Sequence, residues 1–231
     1  MSSSVDSQNW SSDKVKDGPL SIRQAFNFAW PIFKKRFGLF TAVLLTIFGA
    51  WVTLEIVVIA GQRFGILLWA MAHLAFLIFV AGMEVGFLRI CLALFDGREP
   101  QFADTFAHLT LGLRFLTGQI LYLLVVGIGL LLLVVPGVYL GVRYIMFGFC
   151  LADGETNLAR CFQQSAILST GAKPYLLRIL VVLLVLNVLG ASLLGLGLFI
   201  TVPLSVLMLT AAYRQLSARR PRANSNTISP G

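Results

Sequence analysis

Six long apolar segments, at about residues 39–60, 64–94, 113–135, 137–152, 174–194 and 197–215, alternate with short stretches that hold nearly every charge. Runs of this length and uniformity predict transmembrane helices rather than buried core helices. Between residues 174 and 213 the only charged residue is Arg178. Gly61-Gln62-Arg63, Pro136-Gly137 and a Gly-rich bend at 190–197 join the segments pairwise. Each is a short turn signal, so the segments form three hairpins. The predicted fold class is an all-α, polytopic integral membrane protein with six transmembrane helices and amphipathic helices at the interface.

The stretches between hairpins have their own periodicity. Ser21 followed by Gln24 has capping-box spacing, and Ile22, Phe26, Ala29, Trp30, Phe33 and Phe37 then recur at helical intervals. This predicts an amphipathic helix on the membrane surface, kinked or divided at Pro31. Residues 102–112, with Asp104 near the start, and about 156–170 predict a second and a third surface helix. Surface helix and hairpin thus recur three times. Each surface stretch carries a small residue followed by Phe near its start: Ala25-Phe26, Thr105-Phe106 and Cys161-Phe162. Unequal intervals make this a drifted repeat or a coincidence of composition.

Segment 2 continues for about thirty residues, roughly 45 Å, and so exceeds a hydrocarbon layer of about 30 Å. It stops at Asp96-Gly97, with Pro100 beyond. Segment 4, by contrast, measures about 24 Å and is short for a full crossing.

Charge orients this arrangement. All of the 18 Lys and Arg residues except Arg63 and Arg143 fall on one side of the threading, which the positive-inside rule assigns to the cytoplasm together with both termini. Composition agrees, with 58% hydrophobic and 12% charged residues. Residues 1–20 contain no cleavable signal, so segment 1 is expected to act as an uncleaved one. The expected division is a disordered segment 1–20, a single membrane domain 21–216, and a disordered basic and polar tail 217–231. Cys91, Cys150 and Cys161 are odd in number and lack metal-ligand spacing, as suits free thiols in a reducing compartment. Asn9-Trp10-Ser11 matches a glycosylation acceptor by chance, on the cytoplasmic side.

Polar residues in a bilayer are costly and mark packing or function. Counted at 1.5 Å per residue from the outer boundary, Glu55, His73 and Arg143 lie at about 5–8, 12 and 9 Å, which predicts an intramembrane cluster with an Arg143–Glu55 ion pair. It serves as a clasp between segments 1 and 4 or as a substrate or proton path. Glu84 and Arg89 read as snorkelling or as contacts to surface helices, and Gln119 and Asn187 as interhelical hydrogen bonders. Gly82 with Gly86, and Gly137 with Gly141, have the four-residue spacing of close helix approach. Lys34, Lys35 and Arg36, where segment 1 enters the bilayer, are the candidate contacts for anionic lipid.

Catalytic patterns are thin. No His-Glu-x-x-His motif and no phosphate-cradling Gly-rich loop occurs. Asp153-Gly154 with Ala159-Arg160 resembles the start of the metal-binding signature of CDP-alcohol phosphotransferases, but the spacing is too long and Glu155 is the last acidic residue. The carboxylates for the metals are missing, so no enzyme, metal or cofactor is expected.

Pro136-Gly137-Val138-Tyr139-Leu140-Gly141-Val142-Arg143-Tyr144, then Leu151-Ala152-Asp153-Gly154, then Cys161-Phe162-Gln163-Gln164-Ser165 to Thr170-Gly171, with Pro203 and Tyr213, resemble the YciC-like bacterial inner-membrane family. They also resemble the membrane domain of membrane-bound glycerophosphodiester phosphodiesterases. The resemblance implies a six-helix bacterial inner-membrane protein and carries no activity across, because the phosphodiesterase chemistry belongs to a separate soluble domain. Two functions follow from the sequence. One is a non-catalytic module that binds anionic lipid, a protein partner or a second copy, without nucleic acid. The other is a small transporter or channel with a polar path around Glu55, His73 and Arg143, its broken helices supplied by Pro136-Gly137, the Gly-rich bend at 190–197 and Pro203.

Overall fold

The computed structural model describes residues 21–61, 65–192 and 195–219. The expected disordered segment 1–20, the turn at Arg63, part of the third bend and the tail from residue 220 lie outside the described residues. All regular elements among the described residues are helical, and six stretches are long and apolar enough to cross a membrane.

Helix α1 (Ile22–Lys35) buries Ala25, Phe28, Ala29 and Phe33 and leaves Lys34 and Lys35 exposed. Pro31 lies inside it without dividing it; the break comes at Arg36, and no side-chain bond from Ser21 caps the start, so the expected capping box is absent. Helices α2 (Phe37–Gly61) and α3 (Ile66–Phe95) form the first hairpin. Gly97, at φ 74°, ends α3 in the left-handed region that a residue without Cβ adopts freely.

Residues 102–112 are not the expected helix. Two short 3-10 turns, Phe102–Thr105 and Leu109–Leu111, replace it. The cause lies on α3, where a Cβ on Gly86 would collide with the Thr105 carbonyl and one on Gly82 would stand 2.8 Å from the Leu109 Cα. Backbone packs on backbone here, and a full helix with its side chains would not fit the gap. Gln101 and Asp104 close a capping box on the first turn. The Gly82 and Gly86 spacing therefore receives this first linker (residues 96–111) rather than another transmembrane helix.

Helix α4 (Gly112–Leu132) is followed after Leu133 alone by α5 (Val134–Tyr144). Pro136-Gly137 is thus not the turn. Proline is tolerated in a first helical turn because its missing N–H would have no partner there. Gly137 packs against Gly129 and Leu130 across the hairpin, while Gly141 has no neighbour closer than the Tyr122 hydroxyl and accepts its hydrogen bond through the backbone carbonyl at 3.3 Å. After a break at Ile145 and Met146 comes α6 (Phe147–Ala152), so the fourth span is two helices in series. Helix α7 (Leu158–Ser169) is capped by the Asn157 side chain, which accepts from the Arg160 amide at 3.3 Å. Helices α8 (Lys173–Ser192) and α9 (Leu198–Arg219) make the last hairpin. The helix of α9 continues past residue 217, where the tail was expected to begin.

Three units pack in a ring. Residues 102–111 lie along α3, α7 lies along α5 and α6, and α1 lies along α9, the last helix among the described residues. Each small residue of the drifted repeat, Ala25, Thr105 and Cys161, is fully buried in these contacts. The core is concentrated at one end of the spans. On α3 the run from Val80 to Leu92 is mostly buried, whereas Ile66, Leu67, Leu68 and Met71 are exposed. Leu131, 88% exposed at the second hairpin's tip, completes an apolar surface suited to lipid.

Candidate functional site

Charged residues gather at the end opposite the hairpin tips. Both Asp-Gly corners lie there: Asp96 follows α3, Asp153 follows α6, and the glycine after each has positive φ. Arg214, one turn from the end of α9, reaches both corners. Its Nη2 donates to Asp96 Oδ2 at 2.7 Å and its Nη1 to Asp153 Oδ1 at 2.9 Å. The Tyr213 hydroxyl is 3.1 Å from Asp153 Oδ2, and Arg98 donates to Asp96 at 2.8 Å. One guanidinium therefore joins the returning helices of all three hairpins, with a planar fork that matches two carboxylates at once.

Beside this clasp lies a cavity of about 290 Å³ between α3 and the first linker, whose polar lining is Arg89, Arg98, Asp104, His108 and Asp153. Arg89 Nη1 contacts His108 Nε2. A guanidinium only donates, so the imidazole nitrogen accepts and His108 carries its proton on Nδ1. Asp104 Oδ2 accepts from the Gln101 amide at 2.8 Å. Deeper along the same helices, Gln119 donates to Glu84 at 2.9 Å and joins α4 to α3. Asn187 likewise bridges α8 to Ser205 of α9 at 2.8 Å.

The residues singled out from the sequence are placed differently. Glu55 is exposed on α2, and no ion pair joins it to Arg143 among the described residues. His73 stacks on Trp69 at 5.5 Å. Arg143 stands over the Tyr144 ring at 5.6 Å, and its carbonyl accepts from Ser165 of α7. No hydrogen bond or ion pair links any two of the three among the described residues. Tyr139 of α5 accepts from Lys173 at 2.7 Å, a bond between residues that the simple threading puts at opposite ends. Lys34 lies 4.9 Å over Trp30, Lys35 is exposed, and Arg36 is paired with Glu99 at 2.5 Å.

Cys91, Cys150 and Cys161 are buried and unbridged. Among the described residues no group of three or more His, Cys, Asp or Glu side chains could hold a metal ion. The residues that sequence reasoning missed are Arg214 and His108, while Asp104 was placed only at the start of a surface helix. Their one advance signal was the Asp-Gly pair repeated after the second and fourth spans. Comparison with protein-family models, curated proteins and solved structures finds no match for this chain.

Proposed function

We propose that this is a non-catalytic protein of a bacterial inner membrane, with its charged end in the cytoplasm, and that this end binds the headgroups of anionic lipids. The YciC-like resemblance and the side-selective cations support the location. One observation carries the binding role: the carboxylates of Asp96, Glu99 and Asp153 are already engaged by arginines, while Lys34 and Lys35 stand exposed at the end of an amphipathic helix. Local positive charge is thus left facing the headgroup layer, at about 1 kcal/mol per lysine. Trp30, with Lys34 over its ring, has the amphipathic character of an interfacial anchor. A transport path through Glu55, His73 and Arg143 is the weaker reading, since no ion pair joins Glu55 to Arg143 among the described residues.

Thermal unfolding of the detergent-solubilised protein tests the proposal. Phosphatidylglycerol is expected to raise the midpoint by several degrees more than phosphatidylcholine, by ligand linkage. Substituting Lys34→Gln together with Lys35→Gln is expected to remove at least half of that excess. Equal shifts with both lipids, or an unchanged excess in the variant, would refute it.

A further inference from the structure

The cavity beside the clasp contains charges of both signs, and their pairing is uneven. Asp153 is engaged by Arg214 and Tyr213, and Arg98 by Asp96. Arg89 meets no carboxylate within ion-pair distance among the described residues; its one polar side-chain partner is the acceptor nitrogen of His108. Among the described residues its Nε, and His108 Nδ1, are buried donors without a hydrogen-bond partner. Asp104 uses Oδ2 on the Gln101 amide, while no other hydrogen bond reaches its carboxylate from the described residues. A cation and an anion with unused capacity thus share one cavity without closing on each other.

A simple anion there would be repelled by Asp104 and Asp153, and a simple cation by Arg89 and Arg98. A single group carrying both signs satisfies both sets. We propose that the cavity binds an amino-phosphate zwitterion, its phosphate on Arg89 and its primary ammonium on Asp104. A volume of about 290 Å³ lies at the bottom of the roughly 300–1,000 Å³ range of small-molecule pockets, which fits a headgroup and not a whole lipid. Ethanolamine phosphodiesters have this chemistry. Choline does not, because a quaternary ammonium has no N–H for a carboxylate. The inference rests on the reading that the charged end sits among headgroups, but it concerns other residues and a different lipid from the Lys34 and Lys35 surface.

The same unfolding assay is run with phosphatidylethanolamine, phosphatidylcholine, phosphatidylglycerol and free O-phosphoethanolamine. Phosphatidylethanolamine is expected to raise the midpoint more than phosphatidylcholine. Asp104→Asn lowers its effect to the phosphatidylcholine level, and Arg89→Gln diminishes both. The Lys34→Gln, Lys35→Gln variant keeps the ethanolamine preference while losing the phosphatidylglycerol effect, so the two readings fail separately. A shift with free O-phosphoethanolamine equal to that with the lipid assigns the site to the soluble compound; a shift only with the lipid assigns it to the membrane. Equal shifts from the ethanolamine and choline lipids, or an undiminished preference in Asp104→Asn, overturn the proposal. Asp104 also caps the linker, so a second measurement uses the unaltered protein. Native mass spectrometry from equimolar mixed micelles is expected to retain the ethanolamine lipid about fivefold over the choline lipid, the ratio that one hydrogen bond supplies. Equal retention overturns the site.

Discussion

The corners Asp96-Gly97 and Asp153-Gly154 begin alike and end differently. In both, an aspartate follows a transmembrane helix, a glycine with positive φ turns the chain, and the carboxylate receives Arg214. Beyond the second corner Asn157 caps a regular helix, α7. Beyond the first, the chain runs so close to Gly82 and Gly86 that it takes only two tight turns. Their surroundings differ as well. Asp153 shares its carboxylate with the buried Tyr213, whereas Asp96 shares its own with the exposed Arg98. The same local motif thus gives a helical corner with a half-buried aspartate in one place and an irregular corner with an exposed one in the other. Neighbours, not the motif, decide the outcome.

Arg214→Ala removes what the corners have in common and is expected to cost the most, about 3 kcal/mol, since both carboxylates lose a shared, largely covered guanidinium and are left with Arg98 and Tyr213 alone. Loss of the thermal midpoint in detergent, with both corners becoming accessible to protease together, is the readout; cleavage at one corner only would show that the clasp is not shared. Gly86→Ala attacks the first corner alone. Its new methyl group must displace the linker backbone at Thr105, at about 2 kcal/mol, and hydrogen exchange is expected to rise in 102–111 while α7 stays protected. The finest contrast is Asp153→Asn against Asp96→Asn. The first should cost about 1.5 kcal/mol and the second about 0.5 kcal/mol, because a carboxylate that holds a buried hydroxyl has less water to replace its partner. Equal costs would mean that the surroundings of the two corners do not distinguish them.

The six spans, the thirty-residue α3 and the amphipathic α1 were legible because they are written in local periodicity. The placement of Pro136-Gly137 was not, since proline permits both a turn and a first helical turn, and only the packing of Gly137 on Gly129 selects between them. Nor was the failure of Glu55 and Arg143 to form an ion pair. Counting rises from a membrane boundary assumes straight, parallel spans, whereas the fourth span breaks at Ile145 and Met146. Arg214 lies 118 residues from Asp96, and no window along the chain links them. Ser21 and Gln24 had the spacing of a capping box without its bonds, and Gln101 with Asp104 had the bonds. Spacing allows such a bond, but the path of the neighbouring chain decides whether it forms.

Helix α1 rests on α9, so the first helix among the described residues has its main partner in the last. During synthesis α1 leaves the ribosome before any of the surface that will cover Ala25, Phe28 and Phe33 exists. Phe40 and Phe95 are made early enough to meet Phe33 and Phe28, but the α9 surface follows only after the other spans, and until then the bilayer must shelter the rest of that face.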